Sequence, residues 1–83
     1  MFEMTIADAI KIHDNLISVA GPCLNRNKFV SRLVDDNGNI YKAHIPFVNT
    51  HVFDDSQIIL GIYGEYDIET LKGRILKGAE INN

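Results

Sequence analysis

From Phe2 to Ile12 the chain reads FEMTIADAIKI, and its apolar side chains fall on every second residue. Phe2, Met4, Ile6, Ile10 and Ile12 alternate with Glu3, Thr5, Ala7, Ala9 and Lys11, and Asp8 is the one break. Alternate residues of a strand point to opposite faces, whereas a helix repeats every 3.6 residues. A helix here would align only Ile6, Ala9, Ile10 and His13. The alternation therefore predicts a strand that is interrupted at Asp8 by a bulge or bend. A carboxylate at such a point accepts backbone N–H groups and fixes the bend.

The rest of the chain reads as short strands separated by turn residues. Leu16–Gly21 is an apolar run stopped by Gly21-Pro22. Lys28–Val34 alternates, and Asp35–Asn39 (DDNGN) supplies the tight turn of a hairpin whose return strand is Ile40–Phe47. Thr50–Phe53 reads as a weak strand and Gln57–Gly64 as the most apolar, central one. The polar stretch from Glu65 to Gly73 is a connection with room for one helical turn, and Gly73–Ile81 is the last strand. Short strands at this spacing predict an all-β domain, a small closed antiparallel barrel of six or seven strands. Closure also removes the exposed edges that a small sheet must protect. Ile6, Ile10, Val19, Phe29, Leu33, Leu60, Ile62 and Ile75 are the expected core.

With 83 residues and no linker-like stretch, residues 1–83 are read as a single domain. A net charge of −3 argues against binding through a broad basic surface. One cysteine, Cys23, cannot form an internal disulfide. No apolar run is long enough to span a membrane, so a cytoplasmic protein without a membrane segment is expected.

The first and last segments resemble the second domain of elongation factor Tu and related translational GTPases. That family opens with alternating apolar residues leading into Ile-x-Asp-apolar-apolar-x-Ile, matched here by Phe2, Met4, Ile6, Asp8, Ala9, Ile10 and Ile12. Its Val-x-Gly strand end is matched by Val19 and Gly21. Leu60-Gly61-Ile62, Asp67-Ile68-Glu69 and Gly73-Arg74-Ile75-Leu76 follow in the family's order. The resemblance implies a small β-barrel, and in the family this domain contacts ribosomal RNA and the acceptor end of aminoacyl-tRNA. Two turns depart from the pattern: Asp14-Asn15-Leu16 replaces Gly-Arg-Gly, and Pro22-Cys23-Leu24-Asn25-Arg26-Asn27 replaces a glycine-bearing hairpin. No phosphate-binding Gly-x-x-x-x-Gly-Lys-Ser/Thr occurs, so no GTP binding is expected.

The residues offer few starting points for chemistry. Cys23 has cations nearby at Arg26 and Lys28, which favour a thiolate, but no histidine stands at a nucleophile–base spacing, so it reads as structural. His13, His44 and His51 lack the paired spacing of zinc ligands. DDNGN lacks the ligand spacing of a calcium loop. Asp54, Asp55, Glu65, Asp67 and Glu69 read as solvated loop charge. No catalytic residue, metal site or cofactor is expected.

Two candidate contact groups remain. Asn25, Arg26, Asn27, Lys28 and Arg32 form a local polar and basic stretch beside Phe29, suited to phosphates, with Phe29 or Tyr41 stacking on a base. Tyr41, Tyr63 and Tyr66 are the kind of residue that anchors protein interfaces. The reading is a non-catalytic binding module, through association with a protein partner, self-association or a role as an accessory subunit. The alternative is an RNA- or ribosome-associated accessory protein.

Overall fold

A computed structural model of the chain describes residues 1–46 and 56–79. These described residues form seven strands: β1 (Glu3–Thr5), β2 (Asp8–His13), β3 (Leu16–Leu24), β4 (Arg32–Val34), β5 (Ile40–His44), β6 (Gln57–Tyr63) and β7 (Ile75–Gly78). One helical turn, α1 (Ile68–Leu71), lies between β6 and β7. All strand pairs are antiparallel. Neighbours run β1-β7-β4-β5-β6-β3, and β3 pairs back to β1, so six strands close into a barrel. Among the described residues β2 lies outside that circuit, paired only with β3. The all-β closed barrel expected from the alternation is what forms. The weak strand at Thr50–Phe53 and the end of the chain beyond Ala79 lie outside the described residues.

The opening segment is extended, and its break creates both the closure and the seventh strand. β1 pairs with β7 and with the far end of β3. At Ile6 the chain still bonds to the β7 side, accepting from Gly73 at 2.7 Å and donating to Arg74 at 2.9 Å. One residue later, Ala7 donates to Ala20 of β3 at 2.8 Å. The joint is therefore Ile6–Ala7, just before Asp8, which opens β2 and accepts from the Ala9 N–H at 3.0 Å.

That joint shifts the alternation by one residue. Phe2, Met4 and Ile6 point into the barrel, but the next inward residue is Ala9. A one-residue slip turns every following side chain to the other face. Ile10, expected in the core, is instead 58% exposed, and Ile12 is 49% exposed.

Gly21 is the residue of β3 that the joint crosses. A Cβ built there would overlap the Thr5 carbonyl oxygen. The strand also runs past the predicted stop at Gly21-Pro22, to Leu24. Cys23 donates to Ser56 on the β6 side, so alternation turns the missing N–H of Pro22 to the side where the joint passes.

Elsewhere the register follows the turns. The β4–β5 hairpin pairs Val34 with Ile40, Leu33 with Tyr41 and Arg32 with Lys42. Gly38 supplies the positive φ that its turn requires. β4 is shorter than the predicted Lys28–Val34, because Arg26–Lys28 closes a 3₁₀ turn entered by Asn25 in the left-handed region. α1 is capped by Asp67, which accepts from the Glu69 N–H at 3.1 Å.

Val19, Leu33, Leu60 and Ile62 join Ile6 in the core as expected, together with Phe2, Met4, Tyr41, Leu71 and Leu76. Phe29 and Ile75 differ from expectation. Phe29 is half-buried, its ring edge-on to Phe2 at 5.3 Å. Ile75 is also half-buried, because Leu76 holds the inward position of β7. Among the described residues no helix is long and apolar enough to cross a membrane.

Two glycine substitutions separate the causes above. Gly21→Ala must push two backbones apart and is expected to cost about 2–3 kcal/mol or more. Gly38→Ala meets open space and suffers only backbone strain, about 1 kcal/mol. Chemical denaturation of both variants checks the order, and equal losses would contradict the crossing at Gly21.

Candidate functional site

Asp35 is the one buried charged residue among those described. One carboxylate oxygen, Oδ1, accepts from the Asn37 N–H at 2.9 Å and the Asn39 N–H at 3.0 Å. The other, Oδ2, accepts from the Asn39 amide at 3.1 Å, the Tyr41 hydroxyl at 2.6 Å and the Arg74 guanidinium at 2.8 Å. Burial by itself opposes the ionised form. The hydrogen bonds from Tyr41, from the side chain and backbone of Asn39 and from the backbone of Asn37 outweigh it, and hold the carboxyl well below the usual carboxylate range. The Tyr41 hydroxyl is pushed up to about 12, first by burial and then by its bond to Asp35. With every nearby donor engaged, this carboxylate is placed to hold structure, not to exchange protons near neutrality. Nothing in the spacing of DDNGN distinguishes a plain turn from one that inserts its first aspartate into the barrel.

The candidate residues from the sequence fall into separate places. Tyr41, taken as a surface contact, is only 2% exposed and gives its hydroxyl to Asp35, so its ring has no open face for a base or a partner. Its cross-strand partner Leu33 and Ala43, two residues along the same strand, also point inward. Tyr66 packs on Tyr41, with ring centroids 5.2 Å apart, and is half-buried against the core. Asn25, Arg26, Asn27 and Lys28 form the 3₁₀ turn and its entry, and the Asn25 amide donates to the Met1 carbonyl at 2.8 Å. Arg32 lies apart from that turn, on β4. Phe29, taken as a possible stacking residue, packs on Phe2. Cys23 is buried in β3. Among the described residues no three His, Cys, Asp or Glu side chains gather at a metal-binding distance. His51, Asp54 and Asp55 lie outside the described residues.

The structure does bring together a set that the sequence left scattered. Paired residues of adjacent antiparallel strands share a face. Arg32 pairs with Lys42, and Lys42 pairs with Tyr63, so the three form one row across β4, β5 and β6. All three are exposed, so the row lies on the outer wall, and Tyr63 is 46% exposed. His44, two residues beyond Lys42, shares this face. Its imidazole lies 5.0 Å from the Tyr63 ring at 32°. Gly61 makes room for it, since a Cβ at that position would run into the imidazole. Lys42 and His44 were missed as site residues, yet a hairpin register counted outward from Asn37 places Lys42 opposite Arg32.

No family model, curated protein or solved structure matches this chain.

The Asp35 cluster makes stability pH-dependent, with a definite sign. A carboxyl whose folded pKa lies below its unfolded value of 3.8 stabilises the fold fully above that pH. The contribution is lost as pH falls below 3.8 towards the folded value. Tyr41 acts in mirror image, stabilising below pH 10 and losing that contribution as pH rises towards about 12. Asp35→Asn is expected to lower stability at neutral pH by about 3 kcal/mol, through loss of a buried, multiply bonded charge. It should also flatten the acid limb of the stability profile. An unchanged acid limb in denaturation curves between pH 2 and 5 would refute the assignment to Asp35.

Proposed function

We propose that this protein is a non-catalytic binding module that works by associating with another polypeptide through β2. The observation that carries the reading is the position of β2 outside the closed barrel. Among the described residues its second edge has no backbone partner, and Ile10 and Ile12 stand exposed on its outer face. An unpaired strand edge with apolar neighbours is a template for another strand.

The simplest occupant is a second copy. Antiparallel pairing of β2 with itself about a two-fold axis at Ile10 sets Ile10 against Ile10 and Asp8 against Ile12. Partners then differ by an even number of residues, so inward and outward faces continue across the interface. Lysine at position 11 would lie opposite Ala9, which avoids a like-charge pair. α1 lies beside β2 but forms no backbone bond with it.

A relation to the second domain of translational GTPases belongs to the same proposal. It draws support from the closed barrel with β1 and β7 side by side and from the broken opening strand. On that reading the chain acts as an accessory subunit built on the barrel of that domain.

Sedimentation velocity tests the association. The wild type is expected to show a concentration-dependent dimer. A variant carrying Ile10→Lys and Ile12→Lys should stay monomeric with an unchanged melting temperature, since both side chains lie outside the core. A wild type that remains monomeric up to about 1 mM, an affinity of about 4 kcal/mol, overturns the second-copy reading.

A further inference from the structure

Two cations that face each other with no carboxylate partner among the described residues need an explanation in an acidic chain. Arg32 and Lys42 are directly paired across adjacent strands. Strands in a sheet lie about 4.8 Å apart, and like charges directly opposite destabilise the pair. Two of the eight basic residues have carboxylate partners: Arg74 meets Asp35 at 2.8 Å and Lys72 meets Glu69 at 3.6 Å. Neither Arg32 nor Lys42 forms an ion pair among the described residues. The whole chain carries a net charge of −3, so this local excess of positive charge runs against its overall balance.

Three further features sit at the same place. A recess of about 280 Å³ is lined by Ser31, Arg32, Ile40, Tyr41 and Lys42. Tyr63 continues the row beyond Lys42, with one side of its ring near His44 and 46% of its surface in solvent. His44 holds a buried Nδ1 that has no hydrogen-bond partner among the described residues.

We propose that Arg32, Lys42 and Tyr63 form a binding row for a phosphate-bearing nucleotide unit, either free or within a single strand. The phosphate neutralises both cations at once, the guanidinium giving a planar fork and the ammonium a point charge. The recess receives it, with Ser31 among its lining residues. The base lies on Tyr63, whose orientation is set by the His44 ring behind it, as aromatic platforms hold bases in single-strand binders. The row is built by the β4–β5 and β5–β6 registers and does not involve β2, so it is independent of the association proposed above.

The test is an NMR titration of the full chain at low salt with inorganic phosphate, adenosine monophosphate and a short single-stranded oligoadenylate. Adenosine monophosphate should move the amides of Arg32, Lys42 and Tyr63 and bind about tenfold tighter than inorganic phosphate, a difference of about 1.4 kcal/mol. Arg32→Ala with Lys42→Ala should abolish binding of all three probes while leaving the melting temperature equal or higher, because repulsion is relieved. Tyr63→Ala should bring the nucleotide down to the level of phosphate. Tighter, steeply salt-dependent binding of the oligonucleotide assigns the site to a strand, and equal binding assigns it to a free nucleotide; both support the row. Absence of saturable binding by every probe, equal affinity of phosphate and nucleotide in the wild type, or binding undiminished in the double variant overturns it.

Discussion

The carboxylate of Asp35 adds a side-chain tie between the β4–β5 turn and the approach to β7, elements that strand pairing also joins. Two of its five hydrogen bonds close its own turn, two come from Asn39 and Tyr41 on the return side of the hairpin, and one reaches Arg74. Arg74 belongs to the segment that feeds β7, and its backbone carbonyl accepts from Ile6. The hairpin turn, the approach to the last strand and the bend of the first strand are thus linked through one buried charge. A charge in such a place is tolerated only when its oxygens are fully satisfied. That requirement fixes the conformation of residues 35–41 more tightly than their sequence as a tight turn would suggest.

Barrel closure and the surface of the molecule follow from a second constraint, the joint at Ile6–Ala7. Before it, the first strand serves the core through Phe2, Met4 and Ile6. After it, the same alternating sequence presents isoleucines to the outside. The cost of exposing them is a strand, β2, whose second edge has no backbone partner among the described residues and whose outer face is apolar. Small barrels usually remove such edges, and this one retains one.

Much of the architecture was legible in the sequence because it rests on local rules. Alternation marked the strands, Asn37-Gly38 marked the hairpin, and the polar stretch from Glu65 to Gly73 left room for the helical turn found at α1. Alternation fails where a bulge changes its phase, since neither Ile6 nor Ala7 signals which residue will be the extra one. That is why Ile10 was placed in the core. Gly21, on the opposite strand, is the only local hint, and it reads equally well as a strand end. Surface sites were less legible for a different reason. Arg32, Lys42 and Tyr63 are brought into line by two registers in succession, and only the first follows from a short turn. The span between β5 and β6 gives no such count.

The imidazole of His44 roofing Gly61 has an evolutionary corollary. Those two positions cannot drift separately: any side chain at 61 must evict the imidazole, and the evicted ring would leave Tyr63 without its neighbour. Substitution would therefore have to proceed in a fixed order, with the histidine shrinking before the glycine grows. Homologous sequences should show residues 44 and 61 changing as a linked pair with a directional bias.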